Sequence, residues 1–289
     1  MSSHRNAQRR LIVNADDFAL TEGVNRAIGE LSEAGALRSC TLMSAGAAFK
    51  DAVRTTKEYK NLRVGCHVVL VDGFCVAPAE TVRALVDGGE GQLRNSLPRF
   101  IADLQRGKIP EAQIEAEAVA QIRRLQDAGV TVTHVDTHKH THLFPRVARP
   151  LIRAAMQCGV SAIRNPFEQA WSARLTRGPL LRKLEVAALR NFSNTFQKLL
   201  RASGLKTTAG SIGVSATGTL DEANLKRLLD GMPEGTWELV CHPGYNDAAL
   251  GAVRTRLRNE RDVERNALLA QIPAAVRDGR FELIGFDEL

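Results

Sequence analysis

Four histidines fall within nine residues, His134, His138, His140 and His142, interleaved with Asp136 in the run HVDTHKHTH. Taken as extended backbone, the run puts all five side chains on one face, because strand side chains alternate. Imidazoles and a carboxylate converging at a strand end point to a metal site, since neutral imidazole is a common metal ligand. One ion cannot use them all, so some must orient ligands or touch substrate. Asp16 and Asp17 form a second polar group directly after the apolar run Leu11 to Asn14 (LIVN). One carboxylate of such a pair can coordinate a cation while its neighbour, pointing elsewhere, accepts a proton. The plainer use of Asp there is a helix N-cap. His67 lies inside an apolar run (GCHVVL) and, taken alone, reads as a hydrogen-bonded core histidine. His242 follows Trp237 to Cys241 and precedes Pro243-Gly244-Tyr245. Proline fixes φ and glycine permits positive φ, so the chain turns away and leaves the imidazole at a mouth, placed as a general acid or as a simple turn histidine.

These groups need elements that bring them together. Short β-branched runs read as strands at Leu11 to Asn14, Arg38 to Met43, Leu62 to Leu70, Val130 to Val135, Val160 to Arg164, Ser211 to Ser215, Thr236 to Cys241 and Phe281 to Phe286. Helical periodicity occupies Gly23 to Ala34, Pro110 to Ala128, Val147 to Cys158, Asp221 to Leu229 and Arg261 to Arg277. Alternation of strand and helix implies a parallel sheet. Gly35, Gly129 and Gly159 stand at helix ends just before strands, where a left-handed cap is expected. The pattern predicts one TIM-like β/α barrel of seven or eight parallel strands over residues 1–289, with a helical insertion at about 165–209. Asp16, Asp17, His67, His138 and His242 then come from the ends of different strands, which a parallel barrel gathers on one face. Arg164, at the end of its own strand, is a candidate substrate-binding or base-orienting residue. The chemistry implied is metal-assisted hydrolysis, with one Asp as base and a His protonating the leaving nitrogen.

The chain has 289 residues, 44% of them apolar, 25% charged and 5% aromatic, which is globular and excludes a disordered or fibrous protein. Its 39 basic and 32 acidic residues leave a charge of +7. Two Trp and two Tyr, with no nucleic-acid motif and no phosphate loop, argue against nucleic acid. Five cysteines without a CxxC pair suggest neither a disulfide framework nor a structural zinc knuckle. No apolar run approaches a membrane span, and MSSHRNAQRR lacks a secretion signal's apolar stretch, so a cytoplasmic protein is expected.

Four motifs in order, Asn14-Ala15-Asp16-Asp17-Phe18, Gly65-Cys66-His67, His134 to His142 and Cys241-His242-Pro243-Gly244-Tyr245, make the chain resemble the YdjC-like carbohydrate deacetylases, which include chitooligosaccharide deacetylase. The resemblance covers essentially the whole chain. It implies a β/α barrel that removes N-acetyl groups from amino sugars with a divalent metal, Asp17, His67 and His138 as its ligands, Asp16 as base and His242 as acid. His140 and His142, with Arg164, are left as candidate substrate contacts. Two imidazoles and a carboxylate favour zinc, while a looser site would accept Mg, Mn, Co or Ni. One departure is Ala19, where the family usually has Gly; a positive φ there would cost about 1 kcal/mol. The stretch Arg63 to Pro78, followed by Leu85-Val86-Asp87, looks most like the hopanoid-biosynthesis branch, which would make the substrate an N-acetylglucosaminyl lipid. Soluble chito-oligosaccharides and a non-catalytic sugar-lipid binding role are the alternatives, and homo-oligomerisation is left open.

The insertion carries an apolar stripe, Leu181, Leu184, Ala188, Phe192, Phe196 and Leu199. Beside it stand Arg174, Arg177, Arg182, Lys183, Arg190, Lys198, Arg201 and Lys206 against the single acid Glu185. Such a segment could rest on an anionic membrane at the cytoplasmic face and present a lipid to the barrel, or pack its stripe on the barrel and leave the basic face solvated.

Overall fold

The structure, a computed structural model, describes residues 9–178, 187 and 189–289. Eight parallel strands form one curled sheet: β1 Arg9–Phe18, β2 Ser39–Leu42, β3 Arg63–Val68, β4 Val132–Thr137, β5 Ala162–Ile163, β6 Gly210–Ile212, β7 Gly235–Cys241 and β8 Glu282–Leu283. The order is β5-β4-β3-β2-β1-β7-β6, and β8 pairs only with the start of β1. Among the described residues the outer strands β5 and β6 do not pair with each other; isolated bridges tie Ala162 of β5 to Lys206 and Ser211 of β6 to Glu168, both in the connecting segments. This is the expected TIM-like α/β architecture, curled and irregular at one seam.

Helices run between the strands: α1 Glu22–Glu33, α2 Phe49–Glu58, α3 Leu97–Gln105, α4 Glu111–Asp127, α5 Pro145–Gln157, α6 Ala170–Leu175, α7 Ser193–Ser203, α8 Glu222–Asp230, α9 Ala248–Gly251 and α10 Asn259–Arg277. Gly35, Gly129 and Gly159 have φ of 68°, 83° and 71°, the left-handed caps that their places before strands suggested. Strand β1 is the axis of the sheet. Leu11, Ile12 and Val13 have no exposed surface, and β7 runs beside β1 in unbroken register from Arg9 to Ala15. A strand covered on both faces reads as continuous apolar sequence.

Two local departures decide where the polar groups go. The β1–β2 register shifts between Ala15 and Phe18, and Asp17 there has φ 63°. Such a bulge re-aims a side chain that simple alternation would send away. The second departure corrects the reading of HVDTHKHTH as extended. Strand β4 ends at Thr137, and His138–Leu143 is a 3-10 turn with Lys139 and His140 at φ 57° and 51°. Thr137 Oγ1 accepts the His142 backbone N–H at 3.0 Å, a local bond that competes with continuing the ladder.

The insertion is helical over its described residues, α6, a 3-10 turn at Arg190–Phe192 and α7. In α7, Phe196 and Leu200 are buried, the helix packs on α5, and Phe196 meets Phe167 edge-on. Phe192 packs at 5.8 Å from Phe144. The described part of the stripe therefore faces the protein, while Lys198 and Arg201 are exposed. Burying Phe196 contributes about 2 kcal/mol. Leu181, Arg182, Lys183, Leu184, Glu185 and Ala188 lie outside the described residues.

Candidate active site

The C-terminal ends of β1, β3, β4 and β7 meet at one mouth. Asp17 Oδ1 lies 3.5 Å from His67 Nε2 and 3.2 Å from His138 Nδ1, and the two imidazole nitrogens are 3.3 Å apart. Ligands held at about 2.0–2.2 Å in a tetrahedral shell sit roughly 3.3 Å from one another, so this triangle fits a small divalent ion. The donor set supports the same fit. His67 Nδ1 lies 2.8 Å from Asp136 Oδ1; a carboxylate only accepts, so Nδ1 carries the proton and Nε2 turns to the triangle. Burial opposes charge on His67, yet Asp136, Asp16 and Asp17 push its pKa up to about 9. A site that draws a proton this strongly is one that a cation stabilises by replacing it.

A second group, Asp16, His67 and Asp136, also brings its donor atoms together. Its electrostatics differ, because Arg164 already supplies the positive charge. Arg164 donates to Asp16 through Nη1 at 2.8 Å and Nη2 at 2.6 Å, and to Glu238 through Nε at 2.6 Å. Its Nη1 also contacts Asp136 Oδ2. All four residues are buried. Burial works against ionising Asp16, but Arg164 holds its carboxyl well below the usual range. Burial, helped by Asp16 and Asp136, raises Glu238 to about 8 despite Arg164. The cluster thus keeps Asp16 ionised and Glu238 protonated near neutral pH.

Asp16 and Asp17 face the same mouth, contrary to the expectation that they point apart; the bulge at Asp17 is the reason. Neither caps a helix, since the N-cap of α1 is Thr21, whose Oγ1 accepts from Val24 N at 3.2 Å. Asp17 Oδ2 accepts from Arg261 Nη2 at 2.6 Å, leaving Oδ1 for the triangle. Arg261 is itself 1% exposed. Asp16 Oδ1 also accepts from Asn14 Nδ2 at 3.0 Å and from the Thr41 hydroxyl at 3.2 Å. His242 sits across the mouth with Nε2 3.9 Å from Asp16 Oδ2. Burial disfavours its charge, but Glu264 and the two aspartates raise its pKa. Ala19 has φ 79°, the strained conformation for which glycine would be the easier residue.

The remaining histidines part company from the ligands. His134 has no exposed surface and stacks on Phe286 at 3.8 Å. Its Nε2 meets Asn14 Oδ1 at 3.1 Å and its Nδ1 meets Thr133 Oγ1 at 2.9 Å, a neutral imidazole's pattern. His142 is equally buried, with Nδ1 2.7 Å from Thr137 Oγ1. His140 is 9% exposed in the same turn. Arg164, like His142, has no surface open to a substrate.

Four residues of this site escaped the reading by motif. Asp136 was seen only as part of the histidine run, although it is the partner of His67. Glu238 has a legible signal, a lone charge inside the apolar run of β7. Arg261 and Glu264 lie in NERDVER at the start of α10, where charge normally means solvent.

Comparison with known proteins places the chain in a family. The family described as YdjC-like protein matches residues 10–276. The carbohydrate deacetylase of Brevibacillus brevis is 30% identical over 282 residues, covering 97% of this chain and 99% of the relative. The chitooligosaccharide deacetylase of Salmonella typhimurium is 29% identical over 245 residues and 83% of each chain. Among solved structures, an Enterococcus faecalis protein described as a candidate for cellobiose-phosphate cleavage superposes with a TM-score of 0.76 over 97% of this chain and 98% of its own, at 21% identity. That last likeness speaks to the fold.

Proposed function

The chain belongs to the YdjC-like family, and from that premise we propose that it is a metal-dependent carbohydrate N-deacetylase, a hydrolase that cleaves the amide of an N-acetylated amino sugar. The observation that carries this reading is the meeting, at one strand-end mouth, of the Asp17, His67 and His138 triangle with Asp16 and His242. Asp17, His67 and His138 would hold the divalent ion, with zinc favoured by the two imidazoles. When bound, the ion polarises the acetyl carbonyl and makes water more acidic. Asp16, kept ionised by Arg164, accepts the proton of the attacking water. His242 faces the space above Asp16 and delivers a proton to the leaving amine. Arg164 acts on the base and not on the sugar, because its guanidinium is buried and shared among the carboxyl groups of Asp16, Asp136 and Glu238. His140 stands nearest among the three candidates to a substrate contact; His142 supports the turn that carries His138.

For the substrate we propose N-acetylglucosamine linked to a hopanoid lipid, on the resemblance of Arg63 to Pro78 and the basic insertion. The exposed Lys198 and Arg201 would meet anionic headgroups at the inner face of the membrane. No helix among the described residues is long and apolar enough to cross a membrane. The name of the Salmonella relative favours a second reading, soluble chito-oligosaccharides. Mass spectrometry of both substrates after incubation with metal-loaded protein separates them. Acetyl loss from the glycolipid alone supports the first, loss from the oligomers alone supports the second, and loss from neither rejects the deacetylase. Sedimentation with anionic liposomes, abolished by neutralising Arg182, Lys183, Arg190 and Lys198, tests the membrane contact.

A further inference from the structure

Helix α10 supplies a carboxylate that the reaction as described does not use. Glu264 is 1% exposed. Its Oε2 accepts the His242 backbone N–H at 2.5 Å and lies 3.8 Å from His242 Nδ1. Glu264 Oε1 and His242 Nδ1 are both buried without a hydrogen-bond partner among the described residues. Buried polar atoms are rarely left so, and catalytic hydrogen bonds are often long before substrate arrives. The two atoms are complementary, a carboxylate acceptor and a ring nitrogen able to carry a proton, on side chains already in contact. We propose that Glu264 is the positioning residue of His242, holding Nδ1–H on the α10 side so that Nε2 is the atom that passes the proton to substrate. This rests on the reading of His242 as proton donor.

The ring geometry follows from the two sides. Glu264 from α10 faces Nδ1, while Asp16 from β1 faces Nε2 at 3.9 Å, and Asp17 of β1 adds a more distant negative charge. A carboxylate behind one nitrogen fixes the tautomer and stabilises the imidazolium, the division of labour of a nucleophile's base and its orienting acid. The backbone bond gives Glu264 a second hold, keeping the His242-Pro243-Gly244 turn at the mouth.

Glu264→Gln keeps the shape and an acceptor for the backbone N–H while removing the charge. The alkaline limb of its kcat/KM profile should move down by about one pH unit and kcat at pH 8 should fall about 10-fold, with KM and metal content unchanged. Glu264→Asp, which retains the charge, should restore the limb. Turnover lost in His242→Asn with an unmoved limb in Glu264→Gln would overturn this proposal alone. Turnover retained in His242→Asn would overturn the proton-donor reading and the proposal with it. Nitrogen-15 shifts of His242 in the metal-free wild type give a readout that needs no variant. At a pH above the His242 pKa the neutral imidazole should keep its proton at Nδ1, and a neutral ring protonated at Nε2 overturns the assignment.

Discussion

The mouth of the barrel and the floor just beneath it use the same side chain to opposite ends. At the mouth, His67 is ringed by Asp16, Asp17 and Asp136, and its pKa is pushed up to about 9. In the floor, burial and the neighbouring Arg164 push His142 down to about 3, and they hold His134 well below its ordinary value. One residue separates His134 from Asp136 and three separate His138 from His142. The difference teaches that histidine density in a sequence marks a polar layer, and that the sign of the neighbouring charge decides which imidazoles draw a cation. Around His67 the carboxylates outweigh burial and the imidazole belongs to the triangle; around His134 and His142 burial, with Arg164 added, keeps the ring neutral and makes it scaffold.

The largest expected effect separates the regions outright. His138→Ala removes one corner of the triangle and leaves the bonds between Thr137 and His142 that hold the same turn. Bound metal, measured by elemental analysis, should be lost along with turnover, while the far-UV circular dichroism and melting temperature of the metal-free protein stay unchanged. A variant that keeps stoichiometric metal would remove His138 from the ligand set. Next comes Asp16→Asn, which leaves the triangle intact and removes the base. Turnover should fall by about 10²- to 10⁴-fold with metal retained. Activity equal to wild type would reject Asp16 as base.

Much of the mouth was legible in advance because its residues are polar and stand at strand ends. Asp17, His67 and His138 were named from motif and do converge. What motif could not show is how adjacent Asp16 and Asp17 share a face, since this depends on one residue at positive φ, and Asp adopts that conformation without announcing it. The floor was harder to read. Its charges are buried, and whether Glu238 or Glu264 meets solvent depends on which turn of chain lies above it. Even the shortest strands were legible as apolar runs: Val160 to Arg164 and Phe281 to Phe286 contain β5 and β8, though each pairs over only two residues. Helices α2 and α3 went unread, although Ser96 caps the second by accepting from Arg99 N at 3.4 Å.

The floor has its own test of packing. Gly65 precedes Cys66 and His67, and a Cβ on it would lie 2.5 to 2.7 Å from ring atoms of His134. His134 is wedged between this strand and Phe286, so it has no room to retreat. Gly65→Ala should destabilise by about 1–3 kcal/mol, read as a lowered denaturant midpoint. The displaced imidazole would release Asn14, which donates to Asp16, so turnover should fall while metal remains bound. Wild-type stability in this variant would mean that the His134 ring is not held as described.

The smallest effect concerns pH, and its sign distinguishes the two sets of histidines. His142 titrates near 3 in the fold and near 6.5 unfolded, so between those values only the unfolded chain takes up the proton. Its contribution to stability is complete above about pH 6.5 and is lost as pH falls, reaching about 2 kcal/mol at pH 5. His67 in the metal-free protein has the opposite sign. Its contribution is complete below about 6.5 and fades as pH rises through 9, so it adds no slope in the acid window. Glu238, at about 8 in the fold, favours the folded state as pH falls through the same window and would mask His142 in the wild type alone. The comparison must therefore be between wild type and His142→Gln, which removes the titration and retains an acceptor for Thr137. The variant starts less stable, but between pH 7 and pH 5 it should lose about 2 kcal/mol less than wild type in metal-free urea titrations. Parallel curves would show that the floor does not hold His142 neutral, and the electrostatic contrast between floor and mouth would fall with it.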